Sequence, residues 1–344
     1  MKRSTHPFAT LAAMCAHILV IAALVAFGTV VRESAAAPQQ VPARADVIIL
    51  GDRVADVAYH LGVVPVAMSV RCSLWPLCDQ LKNRVQVLGC PNCVARGEGE
   101  AIIEAARRNG LKRILVEKHP RYCEYRPDLK PENLGTILAD KGLEIAYVDF
   151  SNGLESAIRQ AAELLDRRAE AEALIETYNT KRATVQNSLK ARNPGKSVII
   201  INGTYQESTG RAMLRIEAPG GYADVFLLER IGAKNVGHHF RIDGSKPAKG
   251  HFAVPRRKTG PVLDPLVEAA PDVIVMTGNA FAVQKALAEA VRQMPALAEV
   301  PALKNHRLFS LPAYVDAGVI EYPDVLRTWA DALGAWEHTS DSVQ

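Results

Sequence analysis

Five of the six cysteines in this chain of 344 residues fall within residues 72–123. Cys72 and Cys78 stand in Arg71-Cys72-Ser73-Leu74-Trp75-Pro76-Leu77-Cys78, Cys90 and Cys93 in Cys90-Pro91-Asn92-Cys93, and Cys123 follows His119-Pro120-Arg121-Tyr122. Thiolates grouped in this way, with an imidazole nearby, could hold a soft or borderline metal such as zinc, copper or nickel, or an iron–sulfur cluster. The spacing C-x5-C followed by C-x2-C is not a standard zinc pattern, although C-P-N-C alone makes a half-site. Disulfides are the competing chemistry, because Cys90 with Cys93, or Cys72 with Cys78, would close a small loop, and an odd number leaves a thiol over. A CxxC pair can also carry redox work, but such a motif normally opens a helix directly after a strand in a much smaller domain.

A second set of chemistry-bearing residues lies further along. Tyr205, Arg211 and Arg215 follow one apolar run, then come His238-His239-Phe240-Arg241, His251 and Arg256-Arg257, with Tyr314 late in the chain and Trp75 in the first cysteine loop. Tyrosine and histidine can ligate iron and arginine meets carboxylates in a planar fork, so this set suits an anionic iron chelate or a haem. Enzyme signatures are missing: there is no Walker A loop, no G-x-S-x-G, no H-E-x-x-H, and no GxGxxG after the first apolar run, where Gly51-Asp52-Arg53-Val54 leads straight into a helical pattern.

What must position these residues is a series of short β-branched runs separated by helical stretches. The runs are Val47-Ile48-Ile49-Leu50, 63–67, 85–88, Ile114-Leu115-Val116 and 145–148, and later Val198-Ile199-Ile200-Ile201, Val273-Ile274-Val275-Met276 and Leu308-Phe309-Ser310-Leu311. Each is near-continuously apolar, as strands buried on both faces are, and alternation with helices predicts parallel sheets. Helical patterns cover 281–292 and 322–336. The longest, over 154–192, keeps Leu154, Ile158, Ala161, Leu165, Ala169 and Ala173 on one face until Asn193-Pro194-Gly195 stops it. As one helix of about 38 residues it would reach about 57 Å. The expectation is α/β, with two Rossmann-like lobes at 45–152 and 194–337 and parallel sheets, joined by one long α-helix at 153–193. All five clustered cysteines then fall in strand-end loops of the first lobe, where ligands bind and cores do not pack.

Residues 1–37 differ from the rest. Lys2 and Arg3 precede an apolar run from 8 to 31, then Ser34-Ala35-Ala36-Ala37, which reads as an export signal. At about 24 residues the run is also long enough to serve as an uncleaved membrane anchor. The remainder has an ordinary composition, 48% hydrophobic and 23% charged, and a net charge of +4 drawn from 41 basic and 37 acidic residues. No nucleic-acid-binding patch is expected of that balance. The expected location is periplasmic.

Two α/β lobes joined by a long helix behind an export signal resemble the solute-binding proteins of ABC importers for iron siderophores, haem and cobalamin, the class with a helical backbone between lobes. Ala270-Pro271-Asp272-Val273-Ile274-Val275-Met276 is similar to the family's strand entry in the second lobe. Pro301-Ala302-Leu303-Lys304-Asn305-His306-Arg307-Leu308-Phe309 resembles the run into the last core strand, Glu229-Arg230-Ile231-Gly232-Ala233-Lys234-Asn235-Val236 the family's Leu-Gly-Gly-x-Asn-Val stretch, and residues 55–64 the opening helix. Arg107-Arg108-Asn109-Gly110-Leu111-Lys112-Arg113-Ile114 departs from the Pro-Asp entry usual in the first lobe. The resemblance implies a non-enzyme that clasps a metal-containing ligand (siderophore, haem, corrinoid or transition metal) with limited hinge motion. It also implies an ABC permease and its ATPase as partners, docked through Glu100 on one lobe and Asp264 on the other. The alternative is a periplasmic thiol-redox or metal-chaperone protein built on Cys72, Cys78, Cys90 and Cys93.

Overall fold

The computed structural model describes residues 42–72, 75, 77–123, 128, 130–190, 195–242, 244–258, 260–313 and 318–334. Residues 1–41, where an export signal is expected, Tyr314 and Trp336 lie outside the described residues. Among those residues no helix is long and apolar enough to cross a membrane.

The first lobe is a five-stranded sheet ordered β3-β2-β1-β4-β5. Its strands are β1 (Ala43–Leu50), β2 (Val63–Ser69), β3 (Gln86–Val87), β4 (Arg113–Lys118) and β5 (Glu144–Asp149), and every pairing is parallel. The helices α1 (Asp52–His60), α2 (Pro91–Arg96), α3 (Glu100–Asn109) and α4 (Pro131–Ala139) connect them. Alternation along β1 feeds two layers: Val47 and Ile49 pack with Val54, Val57 and Ala58 of α1, while Ile48 and Leu50 pack with Ile102, Ala105 and Ala106 of α3. A run with no polar face thus becomes a strand covered on both sides.

The expected single connecting helix is two helices. α5 (Leu154–Leu164) ends at Leu165, Asp166 adopts a left-handed φ of 54°, and α6 runs over Arg168–Lys190. They fold back on each other, with Arg159 gripping Glu172 through Nε and Nη2 at 2.7 and 3.0 Å and Asn179 Nδ2 donating to Glu155 at 2.9 Å. The expected stripe does not continue past the break: α5 covers the first sheet with Ala157, Ile158 and Ala161, but Ala169 and Ala173 are exposed and α6 buries Ala171, Ile175 and Val185 after the turn. Periodicity reports a buried face and is blind to one residue of reversed φ. The long element is therefore α6, about 35 Å for its 23 residues.

The second lobe is a six-stranded sheet, ordered β11-β10-β6-β7-β9 with β8 also on β6. Its strands are β6 (Ser197–Gln206), β7 (Arg211–Glu217), β8 (Lys234–Asn235), β9 (His251–Ala253), β10 (Val273–Gly278) and β11 (Leu308–Ser310). Strands β6, β8, β10 and β11 are parallel, but β7 runs antiparallel to both of its neighbours, β6 and β9, so the sheet is mixed. A π-helical turn over Asp224–Leu228 runs into Glu229–Ile231, and α7 (Pro265–Ala269), α8 (Ala280–Gln293) and α9 (Tyr322–Gly334) complete the lobe. Val198, Ile200, Val273 and Val275 on one sheet face join the same cluster as β1, α1, α6 and α9. Ile199, Ile201, Ile274 and Met276 on the other face pack on Ala282, Val283 and Ala286 of α8. One core is thus shared by both lobes and the connector.

Candidate functional site

The carboxyl ends of β1, β2 and β4 carry a buried polar network. Gly51 holds φ 124°, and a Cβ there would come within 2.3 Å of Glu117 Cβ, so only glycine lets β1 turn into α1 against the end of β4. The turn places Asp52 and Arg53 under the sheet edge. Asp52, Arg53 and Glu117 are at most 2% exposed and Arg71 is 5% exposed. Charges so buried must be paired. Arg53 pairs with Glu117 through Nη1, and its backbone N–H reaches the other carboxylate oxygen at 3.0 Å. The Arg71 backbone N–H donates to Asp52 Oδ1 at 2.6 Å and its Nε to Oδ2. Arg71 Nη1 donates to the Tyr122 carbonyl at 2.8 Å, and its guanidinium lies 4.2 Å from the centre of the Tyr122 ring. Burial outweighs the pull of Arg53 and Arg71 and raises the Glu117 carboxyl to about 7.

The network also reaches the second lobe. Arg71 Nη1 donates to Tyr222 Oη at 3.1 Å. Asp56 Oδ2 accepts the backbone N–H of Ile320 at 2.6 Å, and its Oδ1 accepts Trp75 Nε1 at 3.2 Å. Arg71 Nη2 is buried with no partner among the described residues.

The cysteines divide. Cys72 and Cys78 form a disulfide, which removes both from any thiolate metal cluster. Cys90, Cys93 and Cys123 are free, and Cys123 is buried. Among the described residues no group of three or more His, Cys, Asp or Glu side chains could hold a metal ion. Trp75, expected among the ligand-binding residues, is instead wholly buried in the core.

The second-lobe candidates also separate. Tyr205 lies on β6 and Arg211 and Arg215 on β7, a strand where a loop was expected. Register sets Asn202 opposite Arg215, Thr204 opposite Met213 and Gln206 opposite Arg211, so these six share one face. That face continues from Val198 and Ile200, toward the shared core. Tyr205 points to the other face, its ring edge-on to Phe281 at 5.3 Å with Lys285 Nζ 5.5 Å above it. His238 and His239 lie in the turn Gly237–Phe240 beyond β8, which pairs with Ser197 and Val198 at the start of β6. Seven residues of strand, about 23 Å, part them from Tyr205. His239 Nδ1 is 3.5 Å from Glu268 of α7, and Arg241 Nε donates to the Ser245 carbonyl at 3.1 Å. Glu100 is exposed at the start of α3, and Asp264, just before α7 and making no side-chain capping bond, pairs with Arg257 at 3.2 Å.

Asp52, Arg53, Asp56, Glu117, Tyr122 and Tyr222 were not singled out by sequence reasoning. The usable signal was a charge at the end of an apolar run, in Leu50-Gly51-Asp52-Arg53 and Ile114-Leu115-Val116-Glu117, where strand ends meet a cleft.

Solved structures similar to this chain include periplasmic haem-binding proteins. The haem-binding protein RhuT from Roseiflexus sp. RS-1 matches with a TM-score of 0.54 at 14% identity, over 85% of this chain and 100% of that one. The haem-binding protein BhuT, solved with two haems, gives 0.52 at 18% identity over 85% and 100%. A periplasmic haem-binding protein from Pseudomonas aeruginosa gives 0.51 at 16% over 84% and 92%. This chain has the fold of the two-lobed periplasmic binding proteins. In that fold a connector helix joins two α/β lobes, here α6, and the buried network sits where the lobes meet. No family model matches the sequence, and no curated protein matches it.

Proposed function

We propose that the chain is an extracytoplasmic solute-binding protein that delivers an anionic metal chelate, with haem the leading candidate, to an ABC permease and its ATPase. The observation that carries this reading is the row Arg211, Met213, Arg215 on β7. Alternate positions put two guanidiniums and a thioether on one face, and all three side chains are exposed, Met213 to 50%. Arg215 Nη2 is held by Asn202 Oδ1 at 3.0 Å, and Asn202 Nδ2 in turn by Thr277 Oγ1 at 3.2 Å, which anchors the guanidinium to the end of β10. Arginines oriented in this way meet carboxylates, and a thioether between them suits an apolar macrocycle or soft iron. The neighbours named above bind haem, which favours the same ligand. Tyr205 faces away from this row and His238–His239 lie at the far end of β6, so neither shares the surface with the two arginines. Glu100 and Asp264, one on each lobe, are the proposed contacts to permease arginines.

Titration with ferric haem followed in the Soret region tests the reading. Binding with a shifted Soret band is expected, weakened about ten- to a hundredfold by Arg211→Ala or Arg215→Ala, since each charged hydrogen bond is worth roughly 1.5–3 kcal/mol. Unchanged affinity in the double variant would remove the row from the site, and no spectral change with haem, a ferric siderophore or a corrinoid would sink the chelate reading.

A further inference from the structure

Cys90 and Cys93 have no place in that ligand surface. Cys90 is the N-cap of α2 with Pro91 at the first helical position, and its Sγ accepts the backbone N–H of Cys93 at 3.4 Å. The two sulfurs stand 3.0 Å apart. Two thiolates on one tetrahedral metal ion would sit about 3.8 Å apart, and about 4.6 Å apart on a linear one, given metal–sulfur bonds of about 2.3 Å. A disulfide bond is about 2.05 Å. The observed spacing is therefore shorter than a shared metal permits and is a small displacement from a covalent bond. Cys93 is exposed and Cys90 half-buried. Burial, together with the hydrogen bond to Cys93, pushes the Cys90 thiol up, and Cys93 is the sulfur that solvent reaches. The pair follows Gly89, whose carbonyl accepts from Val70 N at 3.1 Å and from Ser69 Oγ at 3.0 Å, so its segment is tied to the stretch that leads into Arg71 of the network.

We infer that Cys90 and Cys93 form a reversible dithiol–disulfide site at the cleft edge of the first lobe, oxidised by exchange with an external disulfide. The Cys93 thiolate attacks one sulfur of the incoming disulfide, forming a mixed disulfide and expelling the first thiolate. Cys90 then gives up its proton and its sulfur attacks Cys93 Sγ, closing the Cys90–Cys93 bond and expelling the second thiolate. The protein loses two electrons, the external disulfide gains them, and the two protons from Cys90 and Cys93 pass to the departing thiolates.

The full-length chain is equilibrated across glutathione redox buffers, acid-quenched, alkylated and mapped by mass spectrometry. The peptide holding Cys90 and Cys93 should lose two hydrogens in a reversible two-electron titration, while Cys72–Cys78 stays bonded and Cys123 is alkylated only after unfolding. Cys90→Ser, which preserves a capping side chain, should trap glutathione on Cys93. Cys93→Ser should show loss of that adduct. A parallel series with an oxidised protein dithiol at the same potential tells which kind of disulfide is the faster oxidant, and oxidation in either series meets the expectation. Both thiols alkylated at every potential, an adduct that accumulates in Cys93→Ser and not in Cys90→Ser, or a metal ion retained by the pair in native mass spectra would overturn it.

Discussion

At the scale of single residues the site is governed by what it costs to bury a charge. Asp52 is fully buried and has Arg71 as its ion-pair partner, while Arg71 is also the residue that reaches Tyr222 across the lobes. Removing one member of such a pair leaves the other desolvated and unpaired, typically at roughly 3–5 kcal/mol, whereas replacing both by apolar or neutral groups can be close to neutral. Arg71→Met should therefore destabilise the protein by about that amount in urea unfolding, and Asp52→Asn combined with Arg71→Met should recover most of the loss. Equal losses in the single and double variants would mean the pair is not coupled. This network was poorly legible in the sequence, since Asp52 and Glu117 are 65 positions apart and nothing in either local pattern announces the other. The cysteines were more legible as a cluster than as chemistry: spacing alone left Cys72–Cys78 and Cys90–Cys93 equivalent, and only the fold bonds the first pair.

Among the elements, those buried on both faces could be read directly, because Val47-Ile48-Ile49-Leu50 and Val198-Ile199-Ile200-Ile201 have no polar face to confuse their period. Strand β7 was not, for Arg211-Ala212-Met213-Leu214-Arg215-Ile216-Glu217 alternates and its exposed half is what a loop also shows. Its position depends on β6, and β6 depends on Gly203. A Cβ there would meet Asn279 O at 2.4 Å and Val283 Cγ2 at 2.8 Å, a backbone and a packed side chain that cannot both yield. Gly203→Ala should cost roughly 1–3 kcal/mol by overpacking and move the β6–β7 ribbon away from α8. The measurable consequence is weaker chelate binding beyond any change in melting temperature, whereas Gly210→Ala, at the exposed hairpin turn with φ 63°, should lower stability and leave binding intact at temperatures where the variant is folded.

Across the whole molecule the two lobes are joined by a shared core, and two buried carboxyl groups, one of them at the lobe junction, favour their protonated form. Glu217, at the end of β7, is held up to about 7, chiefly by burial, while the Ala223 N–H at 2.8 Å works the other way. Glu321 enters α9 from the second lobe and is held up to about 10 by burial and by Asp56 of the first lobe, with which it shares a hydrogen bond. An acid whose folded value is raised binds more protons folded than unfolded, so its stabilisation is complete below the ordinary carboxylate range and is lost as pH rises toward the folded value. For Glu217 the loss runs from about pH 4.5 to 7 and is on the order of 3 kcal/mol; for Glu321 it continues toward about pH 10. Unfolding free energy should therefore fall between pH 5 and pH 9. Glu217→Gln keeps an acceptor for Ala223 and should flatten the lower part of that curve, and Glu321→Gln, which keeps a donor for Asp56, should flatten the upper part. Because the Asp56–Glu321 contact joins the lobes, alkaline pH should also widen the scattering profile of the unliganded protein before it unfolds, and Glu321→Gln should abolish that widening; a profile constant to pH 10 in both proteins would show that the shared core alone holds the lobes together.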